Sequence, residues 1–157
     1  MAHTHHYKLR AEWQGNRGSG TSNVMSYDRS HRVSIGGKPE LNLTADNAVV
    51  GDKSKLNPED LLVTAIASCH MLSYLYVCAM EGVIVTDYVD EASGTMIEKE
   101  SGGGSFKQVI LNPVFQVADS SMIEKAIELH HKAHEICYIA NSVNFEVLCN
   151  PVCTAVK

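Results

Sequence analysis

A long apolar stretch that begins near residue 57 constrains the fold of this chain more than any other feature. Asn57 is a suitable N-cap, and Pro58 suits the first position of a helix. The acidic Glu59 and Asp60 complement the positive end of the helix dipole. Apolar residues then recur at the i, i+3, i+4 spacing of a buried face until Gly82 ends the pattern. The sequence therefore predicts one long helix that packs between a sheet and something else, such as a second subunit.

Strand patterns flank this helix on both sides. The predicted elements are strands at 7–13, 21–27 and 31–35, the long helix, a long hairpin of strands at 83–96 and 106–117, a second helix at 122–136 that Asp119 helps to cap, and a final strand at 143–147. Residues 41–56 show no pattern that assigns them to an element. Because strands and helices do not alternate regularly, the order predicts an α+β fold with a largely antiparallel sheet.

The length and composition limit the classes of protein to which this chain can belong. A chain of 157 residues with 45% apolar residues can form a core without staples, so a single domain over 1–157 is expected. The formal net charge of −5, with acids and bases interspersed, provides no basic stripe for nucleic acid. No apolar run approaches about 20 residues, and the start lacks the regions of a signal peptide, so we expect a cytoplasmic protein with no membrane partner. Five cysteines in that reducing compartment are expected to be free, metal-binding or redox-active.

The start of the long helix resembles a signature of the OsmC/Ohr family, the osmotically inducible protein C and organic hydroperoxide resistance proteins. Between Asn57 and Cys69 the chain carries Asn-Pro-Glu-Asp-Leu and then Ala-Ser-Cys, with the Glu ten residues before the Cys as in the family. The loop that contains Arg17 is similar to the family's first-hairpin loop, and Cys137 follows the second long helix where the family has its second cysteine. The resemblance covers essentially the whole chain and implies an OsmC-like intertwined homodimer, with largely antiparallel sheets packed around two long helices.

The resemblance also implies an activity, that of a thiol-dependent peroxidase acting on organic or fatty-acid-like hydroperoxides. It implies that Cys69 is the peroxidatic cysteine and Cys137 the resolving cysteine, and that Arg17 and Glu59 shape the site. An external dithiol would reduce the disulfide, and neither a cofactor nor a metal is expected. One departure is that Tyr138 follows Cys137, where the family often has proline.

The residues themselves bear on how Cys69 could react. Only the thiolate attacks a peroxide, and an ordinary thiol with a pKa near 8.5 is a few per cent ionised at neutral pH. The helix dipole acts within the first turn, whereas Cys69 lies about three turns in. Arg17 is therefore the candidate to stabilise the thiolate, with Arg29 and Arg32 as substitutes, and Glu59 would hold the arginine by a bidentate pair.

The spacing of Glu59 and Cys69 leaves two alternatives. Along one straight helix they would be roughly 15 Å apart, too far to share a site. Either the helix breaks, or Glu59 serves the cysteine of a partner subunit across a two-fold axis.

The apolar neighbours of Cys69 would favour an organic over a small polar hydroperoxide. These neighbours are Leu62, Ile66, Leu72 and Tyr76.

A histidine cluster is the main competing constellation. His130, His131 and His134 precede Cys137 at helical spacing, and two imidazoles on one face could bind a transition metal. A helix face with exposed histidines is favoured over a metal site. His70 directly follows Cys69, points about 100° away from it on a helix, and is a poor direct base.

The roles of the remaining three cysteines and a second class of function are left open by the sequence. Cys78 is expected in the core, and Cys149 and Cys153 are expected to be unpaired thiols rather than a labile disulfide. Because a fold does not imply a function, the alternative is a non-catalytic OsmC-like dimer that binds a small ligand or has a structural role.

Overall fold

The computed structural model describes residues 3–46 and 50–156, and the chain forms two compact units, Met1–Leu61 and Leu62–Lys157. The first unit contains an antiparallel sheet in the order β1 (Arg10–Trp13), β2 (His31–Ser34) and β3 (Leu41–Leu43). The single domain predicted over 1–157 stays a prediction.

Two differences from the predicted strands occur in this first unit. The strand predicted at 21–27 is wrong, because side chains there hydrogen-bond locally to the backbone and favour turns. The Ser26 hydroxyl donates to the Gly20 carbonyl at 2.9 Å, and the Asn23 amide oxygen accepts from the Met25 N–H at 2.9 Å. The third strand lies instead at β3, inside the stretch without a pattern.

The predicted long helix is present as α1 (Pro58–Met80). Asn57 and Asp60 form a reciprocal cap, in which the Asn57 side chain accepts from the Asp60 N–H at 2.7 Å and the Asp60 carboxylate accepts from the Asn57 N–H at 3.2 Å. Gly82, with φ at +73°, ends the helical segment. By length and composition α1 could cross a membrane, but the core helix of a soluble protein passes the same test.

The second unit contains the remaining elements and two mixed sheets. In chain order these elements are β4 (Val85–Asp90), β5 (Ser93–Glu98), β6 (Gly104–Leu111), β7 (Pro113–Val117), α2 (Ile123–Ile136), β8 (Glu146–Cys149) and β9 (Val152–Ala155). One sheet has the order β4-β7-β9 and the other β5-β6-β8. The β4–β7 and β5–β6 pairs are antiparallel, whereas β8 and β9 run parallel to β6 and β7. The α+β class is confirmed.

The two long strands predicted in the second unit are each divided in the middle, and Asn-Pro pairs mark one of these divisions and the break between β8 and β9. Pro113 and Pro151 have no N–H to give a strand ladder, and each restricts the residue before it. The Asp90 carboxylate accepts the Asn112 N–H at 2.8 Å, and the Asn150 side chain donates to the Asn112 side chain at 3.2 Å. Hydrogen bonds therefore link the three breaks to one another. The last strand, β9, lies beyond residue 147, where the final strand was predicted to end.

The core of the second unit consists of two clusters, one on each half of α1. The first packs the C-terminal half of α1 against α2 and the β4-β7-β9 sheet, through the buried residues Tyr74, Val77, Cys78, Val83, Phe115, Val117, Ala126, Leu129 and Ala133. The second packs the N-terminal half against the β5-β6-β8 sheet, through Ile66, Val109 and Leu111. Cys78 is a core residue, as the sequence predicts.

Candidate active site

Two of the predicted site residues, Cys69 and Cys137, come together in the second unit. Cys69 lies half-buried on α1, and Cys137 lies fully buried where α2 ends. The Cys69 thiol lies near enough to act on the pKa of Cys137, and both are free thiols. Burial raises the pKa of Cys137 to about 11, and the adjacent Cys69 thiol adds to the rise, while the backbone N–H groups of Ala140 and Ile139 oppose it. The pair is thus placed for thiol chemistry between two helices.

The backbone around Cys137 explains how its sulfur is oriented. Cys137 leaves the helical conformation, with φ at −73° and ψ at 105°, and its N–H donates to the His134 carbonyl at 3.2 Å. Its own carbonyl accepts from the Asn141 N–H at 3.0 Å, and the Ser142 N–H donates to the Ile139 carbonyl at 3.0 Å in the short 3₁₀ helix that follows, Ala140–Ser142. Tyr138, which stands where the family often has proline, is 82% exposed. The turn therefore forms without that proline.

Arg17 lies in the loop between β1 and β2 of the first unit. One of its terminal nitrogens, Nη2, donates to the Met25 carbonyl, and its Nε lies 3.9 Å from the Asp28 carboxylate. Among the described residues, the acidic partner of Arg17 is therefore Asp28, and the bidentate pair with Glu59 stays a prediction.

The loop that holds Arg17 is closed by a tight backbone approach at Gly15. The Trp13 indole donates to the Asp28 carbonyl at 2.8 Å, and the Asp28 N–H donates to the Gly15 carbonyl at 2.8 Å. A Cβ atom at Gly15 would lie 1.8 Å from the Asp28 carbonyl oxygen. Only glycine fits there, so Gly15 fixes the conformation of the loop.

The two substitute arginines are already engaged. Arg29 donates to the Tyr27 carbonyl at 2.7 Å and lies over the Tyr27 ring at 4.0 Å. Arg32 pairs with Glu12 at 2.8 Å and with Glu40 at 3.5 Å. Of the two arginines with ion pairs, Arg17 has the longer contact, 3.9 Å against 2.8 Å and 3.5 Å for Arg32.

Glu59 lies in the first turn of α1. One of its carboxylate oxygens, Oε2, is buried and has no hydrogen-bond partner among the described residues. Because α1 is continuous from Pro58 to Met80, the alternative of a broken helix is wrong. The hypothesis that Glu59 serves the cysteine of a partner subunit stays a prediction.

The apolar neighbours predicted around Cys69 divide into two groups. Ile66 is fully buried in the second core cluster, and Leu62 packs against that cluster. Leu72 and Tyr76, by contrast, are 62% and 61% exposed, and Met80 beyond them is 70% exposed. These three residues form an apolar strip that continues from Cys69 towards the end of α1.

A second polar cluster lies in the second unit, and sequence reasoning missed it. His70 Nε2 lies 3.0 Å from His130 Nδ1, and Cys149 Sγ lies 3.7 Å and 3.6 Å from these two nitrogens. The prediction of an exposed histidine face is wrong for His130, which is 4% exposed because it packs on Tyr74 with 3.8 Å between ring centroids. Spacing could not reveal this cluster, because its members come from α1, α2 and β8.

The surroundings of this cluster disfavour charge. Burial lowers the pKa of His70 to about 4 and that of His130 to about 3, and a neighbouring histidine adds to each shift. Burial also raises the pKa of Cys149 to about 12, with a contribution from the Asp90 carboxylate. Cys153 is separated from Cys149 on the next strand, and both are free thiols, as the sequence predicts.

Comparison with known proteins identifies relatives over most of the chain. The family described as OsmC-like protein matches residues 51–150. The uncharacterized protein YmaD of Bacillus subtilis (strain 168) is 23% identical over 146 residues, covering 91% of this chain and 89% of YmaD.

Solved structures show the same fold. An OsmC-like protein of unknown function from Vibrio cholerae is 26% identical, with a TM-score of 0.83, over 95% of this chain and 100% of that one. An organic hydroperoxide resistance protein from Legionella pneumophila is 18% identical, with a TM-score of 0.71, over 98% and 99% of the two chains.

Proposed function

The chain belongs to the OsmC-like family, and from that premise we propose that it is a thiol-dependent peroxidase that reduces organic hydroperoxides. The observation that carries the proposal is that a half-buried cysteine on α1, Cys69, and a buried cysteine at the end of α2, Cys137, are free thiols placed near each other. A half-buried thiol beside a fully buried one suits a sequence in which the first meets the substrate and the second then closes a disulfide.

The proposed reaction has three steps. The Cys69 thiolate attacks one oxygen of the hydroperoxide, the O–O bond breaks, the alcohol leaves with a proton, and Cys69 becomes a sulfenic acid. The Cys137 sulfur then attacks the Cys69 sulfur, the S–O bond breaks, and the oxygen leaves as water with the Cys137 proton. An external dithiol of the cytoplasm then supplies two electrons and two protons, which restore both thiols.

In this proposal Arg17 and Glu59 keep the roles that the family resemblance implies. A guanidinium near the Cys69 sulfur would favour the thiolate and the oxygen on which charge develops. Arg17 is suited to this, because its single acidic partner in the described residues lies at 3.9 Å and leaves donors free to bind an oxygen. The buried, unpaired oxygen of Glu59 supports its use in pairing with a cation once a homodimer has formed.

We also propose that the protein is a homodimer whose partner subunit covers the apolar strip of Leu72, Tyr76 and Met80. Exposure above 60% for three large apolar side chains on one helix face is unfavourable in water. Since the strip continues from Cys69, its burial would also surround the alkyl group of a substrate with apolar side chains. This supports organic hydroperoxides as the substrate class.

Consumption of cumene hydroperoxide and hydrogen peroxide, with dithiothreitol as the reductant, tests the activity. We expect faster turnover of the organic peroxide, loss of turnover in Cys69→Ser, and wild-type turnover in the matched control Cys153→Ser. Equal rates for wild type and Cys69→Ser would refute the proposal.

Mass spectrometry after one equivalent of peroxide separates the peroxidase from a non-catalytic ligand-binding or structural dimer. The peroxidase predicts a rapid disulfide between Cys69 and Cys137. Inert thiols, or oxidation spread over all five cysteines, would favour the non-catalytic alternative.

A further inference from the structure

The cluster of His70, His130 and Cys149 has no part in the proposed peroxidase chemistry, yet its geometry is that of a metal site. His70 Nε2, His130 Nδ1 and Cys149 Sγ all lie within 4.8 Å of one another. Imidazole nitrogen and thiolate sulfur are the ligand types that zinc prefers. We propose that these three atoms form a binding site for one zinc ion per chain.

The distances fit a tetrahedral ion. With Zn–N near 2.05 Å and Zn–S near 2.3 Å, tetrahedral angles require roughly 3.3 Å between the two nitrogens and roughly 3.6 Å between each nitrogen and the sulfur. The observed separations are 3.0 Å for the nitrogens, and 3.7 Å and 3.6 Å for the nitrogen–sulfur pairs. Zinc would therefore need shifts of only a few tenths of an ångström.

The charge of the surroundings also suits zinc. Zn²⁺ bound to one thiolate and two neutral imidazoles carries one positive charge, which is costly to bury alone. Asp90 lies close enough to act electrostatically on Cys149, and its Oδ2 is buried without a hydrogen-bond partner. Its carboxylate would offset that charge from a neighbouring position.

Packing fixes the positions of the three ligands, whereas the ring nitrogens that face away from the metal have little hydrogen-bond support. His130 lies between the Tyr74 ring and His70, and the three ligands come from two helices and a strand that pack in one unit. The remote nitrogens, His70 Nδ1 and His130 Nε2, have no hydrogen-bond acceptor among the described residues. Because such acceptors contribute about 10–100-fold to metal affinity, we expect weaker zinc binding than in fully supported structural sites.

The test uses the full chain, stripped of metal under reducing conditions, with Co²⁺ and then Zn²⁺ as probes. We expect one Co²⁺ per chain, the intense visible bands of tetrahedral cobalt, and a near-ultraviolet charge-transfer band that requires a thiolate ligand. Zinc should abolish both signals. Histidines at the start of the chain, such as His3 and His5, carry no sulfur and cannot produce the charge-transfer band.

Three variants locate the sulfur ligand. Cys149→Ser should remove the charge-transfer band, whereas the matched variants Cys153→Ser and Cys69→Ser should keep it. A band that survives in Cys149→Ser, or that disappears in Cys69→Ser, would overturn the proposal, and so would its absence from the wild type. Loss of peroxidase activity has no bearing on these outcomes, so the two proposals fail separately.

Zinc X-ray absorption on the wild type gives an answer that needs no variant to fold. The site predicts one sulfur at about 2.3 Å and two or more nitrogen or oxygen ligands at about 2.0–2.2 Å. A zinc ion with no sulfur ligand, or with two, would refute the site.

Discussion

Replacement of Gly15 by alanine tests how the loop that holds Arg17 is built. The new Cβ would lie 1.8 Å from the Asp28 carbonyl oxygen and 2.6 Å from the Trp13 indole nitrogen. Ordinary non-bonded carbon contacts are about 3.5–4.0 Å, so the two segments must separate by more than 1.5 Å or so. That movement breaks the hydrogen bonds that Asp28 makes with Trp13 and Gly15.

The magnitude follows from those bonds. Loss of these two hydrogen bonds at about 1 kcal/mol each predicts a destabilisation of about 2 kcal/mol. With a urea m-value of about 1–3 kcal/mol/M, the midpoint should fall by roughly 0.7–2 M. Trp13 is the single tryptophan of the chain, so its fluorescence reports on this loop directly.

The matched control is Gly36→Ala, because a Cβ at Gly36 meets nothing within 4 Å. We expect Gly36→Ala to change the free energy of unfolding by no more than about 0.5 kcal/mol. Its urea midpoint should therefore stay close to that of the wild type. If Gly15→Ala unfolds at the same urea concentration as the wild type and Gly36→Ala, the tight approach does not hold the loop and the reasoning is wrong.

Three further predictions concern the second unit. Alkylation of Cys137 by iodoacetamide, followed by mass spectrometry, should accelerate about tenfold per pH unit up to about pH 11, because burial raises its pKa to about 11; a plateau near pH 9 would contradict this. Tyr74→Phe removes the hydrogen bond from the Tyr74 hydroxyl to the Ala126 carbonyl at 3.0 Å and should cost about 1 kcal/mol in urea unfolding, whereas Tyr76→Phe should cost nothing measurable. Leu72→Glu should convert the proposed dimer to monomers in light scattering, with Lys107→Glu as an exposed control on another element; an unchanged mass would show that the apolar strip lies outside the interface.

The elements that the sequence predicts well are those encoded by local chemistry. The reciprocal cap of Asn57 and Asp60 and the glycine at 82 mark the ends of α1 correctly. The strand predicted at 21–27 fails because local hydrogen bonds of Asn23 and Ser26 outweigh its apolar content. The fold class could be predicted because it depends on the order of such elements.

The candidate sites could be predicted only in part, because they depend on contacts far apart in the sequence. The family resemblance identifies Cys69 and Cys137, and their proximity depends on how α1 lies beside the end of α2. His70, His130 and Cys149 meet only through the parallel pairing of β8 with β6 and the packing of α2. No spacing along the chain indicates that meeting, since an isolated histidine on an apolar helix face is equally suited to simple packing.

The breaks at Asn-Pro pairs, between β6 and β7 and between β8 and β9, have a consequence for the way the second unit unfolds. Each strand continues from one sheet into the other within one or two residues, so the two core clusters share the same three lengths of backbone as well as α1. If one core cluster unfolded alone, it would also disrupt strands that belong to the other cluster. The two halves are therefore one cooperative unit, and amide protons in both sheets should exchange with solvent at similar free energies.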